Sequence, residues 1–266
     1  MIFDSPNGYL PMSDSTSRGQ GIKAWRRKLV HRLGKKFLRS ILDFQGRHSR
    51  IGTEPVLDNA TFNWVPQLEA SWPQIRSEFE QVWAYPEDIP AFHQISPDQA
   101  RISKGDHWKT FVLFIFGTQI HPNCAECPIT TALLAGLPGL QNAWFSILAP
   151  HYHIPPHRGP TRALVRCHLA LRVPAQAEKC WIRIDEQICQ WEEGKCLVFD
   201  DTYEHEVTND TPEFRAVLFL DFDRPMDRLG TWFNRFVLTI VQATHYVKDP
   251  IRNLAEWNRR ISERTS

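Results

Sequence analysis

The feature that most constrains the fold of this sequence is an alternation of apolar and polar residues that begins near residue 143. It runs through segments separated by turn-forming residues: AWFSILAP, TRALVRCHLALRVP, KCWIRID, QICQW, GKCLVFDD, HEVTND and FRAVLFLDF. A period of two is typical of half-buried β-strands. At least six strands within about eighty residues predict an all-β sandwich or barrel.

Helical patterns lie on both sides of the predicted barrel. The segment SWPQIRSEFEQVWAYP is predicted to be a helix that Ser71 caps, with Ile75, Phe79 and Val82 facing inward. Residues 227–266 are predicted to form a C-terminal helical region. Its apolar side chains Trp232, Phe233 and Phe236 are expected to be exposed, as a dimer face or as a lid over a cleft, and the sequence leaves both open.

The N-terminal part divides into two predicted segments. Residues 1–20 are polar and are expected to be disordered. Residues 21–45 are predicted to form a basic amphipathic helix, since residues 18–39 contain nine Lys or Arg and no Asp or Glu. Its apolar stripe recurs every four residues: Trp25, Leu29, Leu33, Phe37 and Ile41. Either this helix packs on the domain, or residues 22–44 lie on an anionic membrane surface.

Several classes of protein are not expected. The start, MIFDSPNGYL, lacks a signal-peptide pattern, and no run reaches the ~18 to 20 apolar residues of a membrane span. We therefore expect a cytoplasmic protein, either free or peripheral at the inner membrane face. The sequence has no platform of basic and aromatic residues, so nucleic-acid binding is not expected. Cys124 and Cys127 form a single C-x-x-C pair, whereas a zinc site needs about four ligands, so reduced cysteines are expected.

The strand ALVRCHLAL predicts which side chains face the inside of a barrel. Alternation places two sets on opposite faces: Leu164, Arg166, His168 and Ala170 on one, and Val165, Cys167, Leu169 and Leu171 on the other. The second set is wholly apolar and is predicted to lie in the core. Two cationic groups that project together into a small barrel would favour an anion there.

Two histidines and an arginine follow in an informative order. His157 and His205 lie on successive β segments, and Arg215 follows ten residues later among apolar strand residues. This order is typical of a double-stranded β-helix that binds iron and a 2-oxo acid, because imidazoles suit a divalent metal and a guanidinium suits a carboxylate. Most such sites carry a carboxylate two residues after the first histidine, where this chain has Gly159.

The blocks HRGP, R-x-H-L, W-x-E-G, FDD-x-x-EHE and FR, in this order between residues 104 and 226, resemble the aspartyl/asparaginyl β-hydroxylase family. The resemblance implies a fold that is mainly β with flanking helices: a double-stranded β-helix (jelly roll, cupin-like) over residues 60–226. It also implies dependence on Fe(II), 2-oxoglutarate and O₂. The family lacks the carboxylate iron ligand, which agrees with Gly159.

The resemblance assigns residues to the iron. His157 and His205 are implied as the two metal ligands, and water would fill the vacant coordination position. Asp201 is implied as an acceptor that orders the iron-bound water. Arg158 and Arg162 receive no role, and they would either meet an anionic substrate or solvate the loop.

The resemblance also assigns residues to the cosubstrate. Arg215 and Ser146 would bind the distal carboxylate of 2-oxoglutarate. Arg166 and His168 would hold its C1 end, and Trp108 is implied as a wall of the pocket.

The expected reaction is hydroxylation of an unactivated C–H bond, with decarboxylation of 2-oxoglutarate to succinate. The substrate would be the β carbon of an Asp/Asn-type group in a peptide, the fatty acyl chain of a lipid, or an acylated small molecule, and the basic helix favours the lipid. The alternative is a cupin-like module that binds metal and oxo acid without hydroxylase activity. Oligomeric state and stereochemistry stay open.

Overall fold

The computed structural model describes residues 37–265. The chain divides into two units at residue 43, and residues 44–265 form the larger one. Residues 37–47 are helical (α1). The segment predicted to be disordered (1–20) and most of the predicted basic helix lie outside the described residues. The predicted domain boundaries and the membrane contact of residues 22–44 therefore stay predictions.

The strands within residues 37–265 form two antiparallel sheets. They are β1 (Val56–Leu57), β2 (Trp108–Ile115), β3 (Thr118–Gln119), β4 (Leu140–Leu148), β5 (Tyr152–His157), β6 (Leu164–Arg172), β7 (Cys180–Ile184), β8 (Gln187–Gln190), β9 (Cys196–Phe199), β10 (His205–Asn209) and β11 (Arg215–Asp223). The larger sheet has the order β1-β9-β6-β11-β4-β2-β3, and the smaller has the order β5-β10-β7-β8. From β4 to β11 the chain alternates between the sheets, except at the β7–β8 hairpin. This is the jelly-roll topology of a double-stranded β-helix, and it confirms the predicted fold class.

Helices flank the sheets. They are α2 (Val65–Ala70), α3 (Trp72–Trp83), α4 (Phe92–Ile95), α5 (His121–Glu126), α6 (Pro128–Ala135), α7 (Arg228–Ala243) and α8 (His245–Thr265). The predicted inward face of α3 is confirmed, since Ile75, Phe79 and Val82 are buried. Ser71 precedes α3, but its side chain makes no capping hydrogen bond because this residue also ends α2. Among residues 37–265, no helix combines the length and apolar composition needed to cross a membrane.

Two apolar cores lie on opposite faces of the larger sheet. The outer core, beneath helices α2, α3 and α6, contains the alternate β6 side chains Val165, Cys167, Leu169 and Leu171. The inner core, between the two sheets, contains Ala170 of the same strand together with Val217 of β11 and Ile182 of β7. The predicted alternation of β6 is thereby confirmed, and its polar face points into the barrel.

Candidate active site

Two histidines face each other at the end of the smaller sheet. His157 on β5 and His205 on β10 are directly paired in the strand register, and their ring centroids are 4.1 Å apart. In each ring Nδ1 lies 2.9 Å from a backbone oxygen two residues earlier, that of Pro155 or Tyr203. A carbonyl only accepts, so each Nδ1 must donate, and the lone pair is on Nε2. This is how a protein fixes the tautomer of a metal-binding imidazole.

The environment keeps both rings neutral. Burial lowers the pKa of His157 to about 4, and the carbonyl of Pro155 only partly opposes this effect. Burial, followed by the neighbouring His157, lowers the pKa of His205 to about 3. Neutral imidazoles are the form that coordinates a metal ion.

Asp201 occupies the space beside Gly159. The Gly159 N–H donates to the backbone oxygen of Asp201 at 2.7 Å, and a Cβ at residue 159 would overlap the Asp201 carboxylate. Asp201 Oδ2 lies 3.0 Å from Arg166 Nη1. Burial raises the pKa of Asp201 to about 6, although Arg166 opposes the shift. The chain therefore has no room for a carboxylate at residue 159, and the nearby carboxylate comes from Asp201 instead.

Arg166 joins this cluster to the larger sheet. Its Nε donates to Asp221 Oδ1 at 3.0 Å, and its guanidinium carbon lies 4.3 Å from the ring centroid of Phe219. Two carboxylates, those of Asp201 and Asp221, therefore already neutralise Arg166. Its implied contact with 2-oxoglutarate stays a prediction.

Arg215 is the largest fully buried side chain among the described residues, with 1% exposure. Its Nη1 donates to the backbone oxygen of Ser146 at 3.4 Å, and its guanidinium stacks over Trp191 at 4.7 Å. No carboxylate of residues 37–265 forms an ion pair with it, and its Nε has no hydrogen-bond partner. Burial lowers its pKa to about 10, so it stays charged at neutral pH. A buried cation in this state strongly favours an anionic ligand.

His168 lies between the His157–His205 pair and Arg215. Phe199 contacts both His168 and His205, and Trp191 contacts both His168 and Arg215. Neither ring nitrogen of His168 has a hydrogen-bond partner. Burial, followed by the charge of Arg215, lowers its pKa well below the ordinary value. The barrel interior thus holds several polar atoms that a ligand could satisfy.

Ser146 and Trp108 complete the wall near Arg215. Trp108 Nε1 donates to Ser146 Oγ at 3.0 Å across β2 and β4. Both side chains are buried, and Ser146 lies opposite Val217 in the register of β11. The structure therefore places all the predicted site residues along one continuous interior surface.

The structure adds two residues that the sequence motifs did not assign to the site. Trp191 bridges His168 and Arg215, and Asp221 pairs with Arg166. Trp191 stands in the WEEG block that carries the family resemblance, so a signal for it was present. Asp221 had no such signal, because its partner is 55 residues away in the sequence.

The two loop arginines left without a role differ from each other. Arg162 is partly buried, and its Nε lies 3.1 Å from Asp200 Oδ2. Asp200 also pairs with Arg224 at 2.7 Å. Arg158 is exposed and lies 3.8 Å from Glu204. Arg162 thus stabilises the loop after His157 through its ion pair with Asp200. Arg158 stays largely in solvent and lies near one carboxylate, that of Glu204.

The cysteine pair lies away from this site. Cys124 and Cys127 are free and buried, and the Cys124 thiol donates to the Leu113 oxygen at 3.3 Å. Burial raises the pKa of Cys127 far above its ordinary value, which disfavours a thiolate. Within residues 37–265 no three His, Cys, Asp or Glu side chains are arranged to hold a metal ion together.

The donors in the barrel fit a divalent metal ion with two protein ligands and an adjoining dicarboxylate. The two Nε2 atoms suit a transition metal such as iron. The orphaned nitrogens of His168, Arg215 and Trp191 suit carboxylate oxygens. Fold and site together define a jelly-roll protein whose interior holds a pair of neutral imidazoles and a buried guanidinium.

The chain belongs to the aspartyl/asparaginyl β-hydroxylase family. A model of that family matches residues 69–225, more than half of the chain and a span that includes every predicted site residue. The named relatives are hydroxylases, which supports an oxidoreductase of the hydroxylase type.

Individual relatives act on different substrates. The chain is 41% identical over 215 residues to the ornithine lipid ester-linked acyl 2-hydroxylase of Rhizobium tropici, covering 81% of this chain and 76% of that one. It is 36% identical over 166 residues to human aspartyl/asparaginyl β-hydroxylase, covering 60% of this chain and 21% of that one, so it spans about a fifth of the human protein.

Solved structures resemble the chain only weakly. The cupin domain of Schizosaccharomyces pombe Cnp3 covers 44% of this chain with a TM-score of 0.30 and 9% identity. The fold assignment therefore rests on the sheet topology.

Proposed function

We propose that this protein is an Fe(II)- and 2-oxoglutarate-dependent dioxygenase that hydroxylates an unactivated C–H bond in the fatty acyl chain of a lipid. One observation carries the proposal: a fully buried Arg215 without a carboxylate partner among residues 37–265 lies in the same barrel as a pair of neutral histidines. A buried guanidinium in this state is costly unless a ligand carboxylate neutralises it.

The side chains divide the task. His157 and His205 would hold iron through Nε2, and Arg215 with Ser146 would bind the distal carboxylate of 2-oxoglutarate. His168 would donate to the cosubstrate nearer the metal. Asp201, held by Arg166, would accept a hydrogen bond from a metal-bound water.

The bound iron and cosubstrate would supply the oxidising power: one oxygen atom of O₂ enters the substrate, and 2-oxoglutarate becomes succinate and CO₂. The chain itself supplies two fixed ligands, a charge that neutralises the cosubstrate, and a pocket that excludes water. The aromatic walls of Trp108, Trp191 and Phe219 provide that exclusion, since all three are nearly fully buried.

Substrate choice rests on the relatives. The lipid hydroxylase of Rhizobium tropici aligns over most of both chains. The human hydroxylase aligns over the family domain alone. The longer alignment favours an ester-linked acyl chain, as on ornithine lipid, over an Asp or Asn side chain.

The test is to incubate the protein with Fe(II), 2-oxoglutarate, O₂ and either ornithine lipid or an Asp-containing peptide. We expect the lipid to gain one oxygen atom by mass spectrometry, with an equal amount of succinate. The variant His157→Ala should lose both products. His153→Ala is the matched control, since His153 lies on the same strand but is exposed and pairs with Glu206.

Each other result has a defined meaning. Hydroxylation of the peptide alone would keep the reaction and overturn the lipid substrate. If His157→Ala still formed succinate in a substrate-dependent way, the iron site would be wrong. Binding of Fe(II) and 2-oxoglutarate without turnover of any substrate would favour the binding-module alternative.

A further inference from the structure

The outer face of α7 carries an uncovered apolar stripe. Its members are spaced three or four residues apart and are each more than half exposed: Leu229 (55%), Trp232 (68%), Phe236 (55%) and Ile240 (51%). The rings of Trp232 and Phe236 stack with centroids 6.4 Å apart. The stripe contains four of the nine large apolar side chains that are exposed within residues 37–265. A contiguous patch of this kind marks a surface for interaction.

Arginines border the stripe on one side. A cavity of about 500 Å³ is lined by Arg50, Met226, Arg228, Thr231, Trp232 and Arg235. The three arginines are exposed, and none forms an ion pair with a carboxylate of residues 37–265. Helix α7 has no Asp or Glu along its length. Two carboxylates lie nearby. Burial raises the pKa of Asp223, although the hydrogen bond that its Oδ1 accepts from Gln141 and the charge of Arg235 both lower that pKa in part. Asp227 pairs with His48.

We propose that this face of α7 docks on an anionic phospholipid bilayer, with the apolar stripe in the interfacial layer and the three arginines against lipid phosphates. Aromatic and aliphatic side chains beside arginines are the pattern of helices that lie in a membrane interface. Each basic residue close to an anionic surface adds about 1 kcal/mol of binding free energy, which is about fivefold in affinity.

Charge argues against two other occupants. A symmetric dimer through this face would bring together Arg50, Arg228 and Arg235 of both copies. The N-terminal segment of this chain is also basic, with nine Lys or Arg and no Asp or Glu in residues 18–39. Both would place like charges together, whereas an anionic bilayer complements them.

The inner face of the same helix holds the loop that follows the metal-binding His157. Asn234 is buried, and its Nδ2 donates to the Ala163 oxygen at 2.9 Å. Its Oδ1 accepts from Gln45 Nε2 at 3.0 Å, and Gln45 Oε1 accepts from the Arg162 N–H at 3.0 Å. One helix therefore contacts this loop with one face and presents the docking surface with the other.

The test is flotation of the full chain with vesicles of phosphatidylcholine alone or with 30% phosphatidylglycerol, about 3 in 10 lipids being anionic. We expect W232S/F236S to weaken binding to the anionic vesicles by about tenfold or more. R228Q/R235Q should remove most of the preference for phosphatidylglycerol. The matched controls I129S/I188S and R259Q/R260Q, at other exposed sites, should bind as the parent does.

Unchanged binding of W232S/F236S would overturn the proposal, since the N-terminal segment or another surface would then carry the contact. The proposal would also be overturned if the parent were a dimer in sedimentation velocity and W232S/F236S were a monomer that still bound vesicles normally. The stripe would then be an interface between two copies of this chain. A second measurement uses W232F, a conservative change that should not disturb folding. Acyl-brominated phosphatidylglycerol should quench the tryptophan fluorescence of the parent more than that of W232F, because Trp232 would lie in the lipid layer. Equal quenching would contradict docking. Neither readout needs Fe(II), 2-oxoglutarate or turnover, so each is independent of the proposed reaction.

Discussion

At the scale of single residues, the site is organised by backbone and by burial. Two carbonyls, those of Pro155 and Tyr203, fix the histidine tautomers. A glycine at residue 159 leaves space for the carboxylate of Asp201. Arg215 then presents a positive charge that no described carboxylate balances. These features explain why a two-histidine site beside an anion pocket can form from ordinary side chains.

Arg215→Met should separate stability from ligand binding. Methionine removes an unpaired buried charge while it keeps much of the volume, so the free energy of unfolding of the ligand-free protein should be unchanged or higher. The affinity for 2-oxoglutarate should fall by about 100-fold or more. Urea unfolding and calorimetric titration measure the two effects. A variant that is strongly destabilised yet binds 2-oxoglutarate normally would contradict the role of Arg215.

Arg172→Met is the matched control for that prediction. Arg172 lies on the neighbouring strand, opposite Ala216, and its side chain is partly exposed beside Glu80. Its replacement should leave 2-oxoglutarate affinity unchanged.

Gly159→Ala should act through Asp201. The added methyl group would displace the Asp201 carboxylate from Arg166, at a cost of about 1–3 kcal/mol in the free energy of unfolding. In an Asp201→Ala background the same change should cost much less, because the obstructing atoms are gone. Gly136→Ala, where the added atom meets only ordinary contacts, is the control. Equal costs of Gly159→Ala in both backgrounds would show that Asp201 is not the obstacle.

The metal-free protein should lose stability in acid through the paired histidines His157 and His205. Their folded pKa values, about 4 and about 3, lie below the ordinary value of about 6.5 for an unfolded chain. The unfolded state therefore binds protons first as pH falls, and the free energy of unfolding decreases from about pH 6.5 toward pH 4. Urea midpoints with EDTA at about pH 7.5 and about pH 5.0, roughly 1 unit above and roughly 1.5 units below that value, measure the loss.

The loss should be smaller in H157Q/H205Q, whose side chains do not titrate. His153→Gln, at an exposed position, should retain it. An equal loss in H157Q/H205Q would assign the acid sensitivity to other groups.

At the scale of elements, β5 shows what alternation can miss. Its sequence, YHIPPH, has two prolines and was not among the strands predicted from alternation, although the motif order placed His157 on a β segment. The strand forms because it is at the edge of the smaller sheet, where a residue without an N–H is tolerated. His157 ends this strand, so its pairing with His205 could be expected from the motif order but not from local propensity.

The start of α6 depends on a buried carboxylate from α3. The two oxygens of Glu78, which is 4% exposed, accept from the N–H groups of Ile129 and Thr130 at 2.7 Å each. Glu78→Gln should lower the free energy of unfolding by about 1–3 kcal/mol, because an amide offers only one acceptor and loses the charge. Glu80→Gln, at a partly exposed position of the same helix with only long contacts to Arg76 and Arg172, should change it little. Similar urea midpoints for the two variants would contradict this role.

At the scale of the whole molecule, local patterns predicted the fold and which side chains of β6 face the barrel interior. Alternation in β6 correctly separated Cys167 in the outer core from His168 inside the barrel. Contacts between segments that are distant in the sequence could not be predicted from local patterns. The Asp221 partner of Arg166 and the cavity between Arg50 and α7 depend on how elements pack. Sequence periodicity carries no information on that packing.

The most direct test of the central claim is an anaerobic titration of the purified protein with Fe(II) and then 2-oxoglutarate, followed by visible absorption. We expect a weak metal-to-ligand charge-transfer band that saturates with 2-oxoglutarate. The band should be absent in His205→Ala and should require far more 2-oxoglutarate in Arg215→Met. A folded, iron-loaded protein that shows no band, or one whose band survives His205→Ala, would contradict the proposed iron and 2-oxoglutarate site.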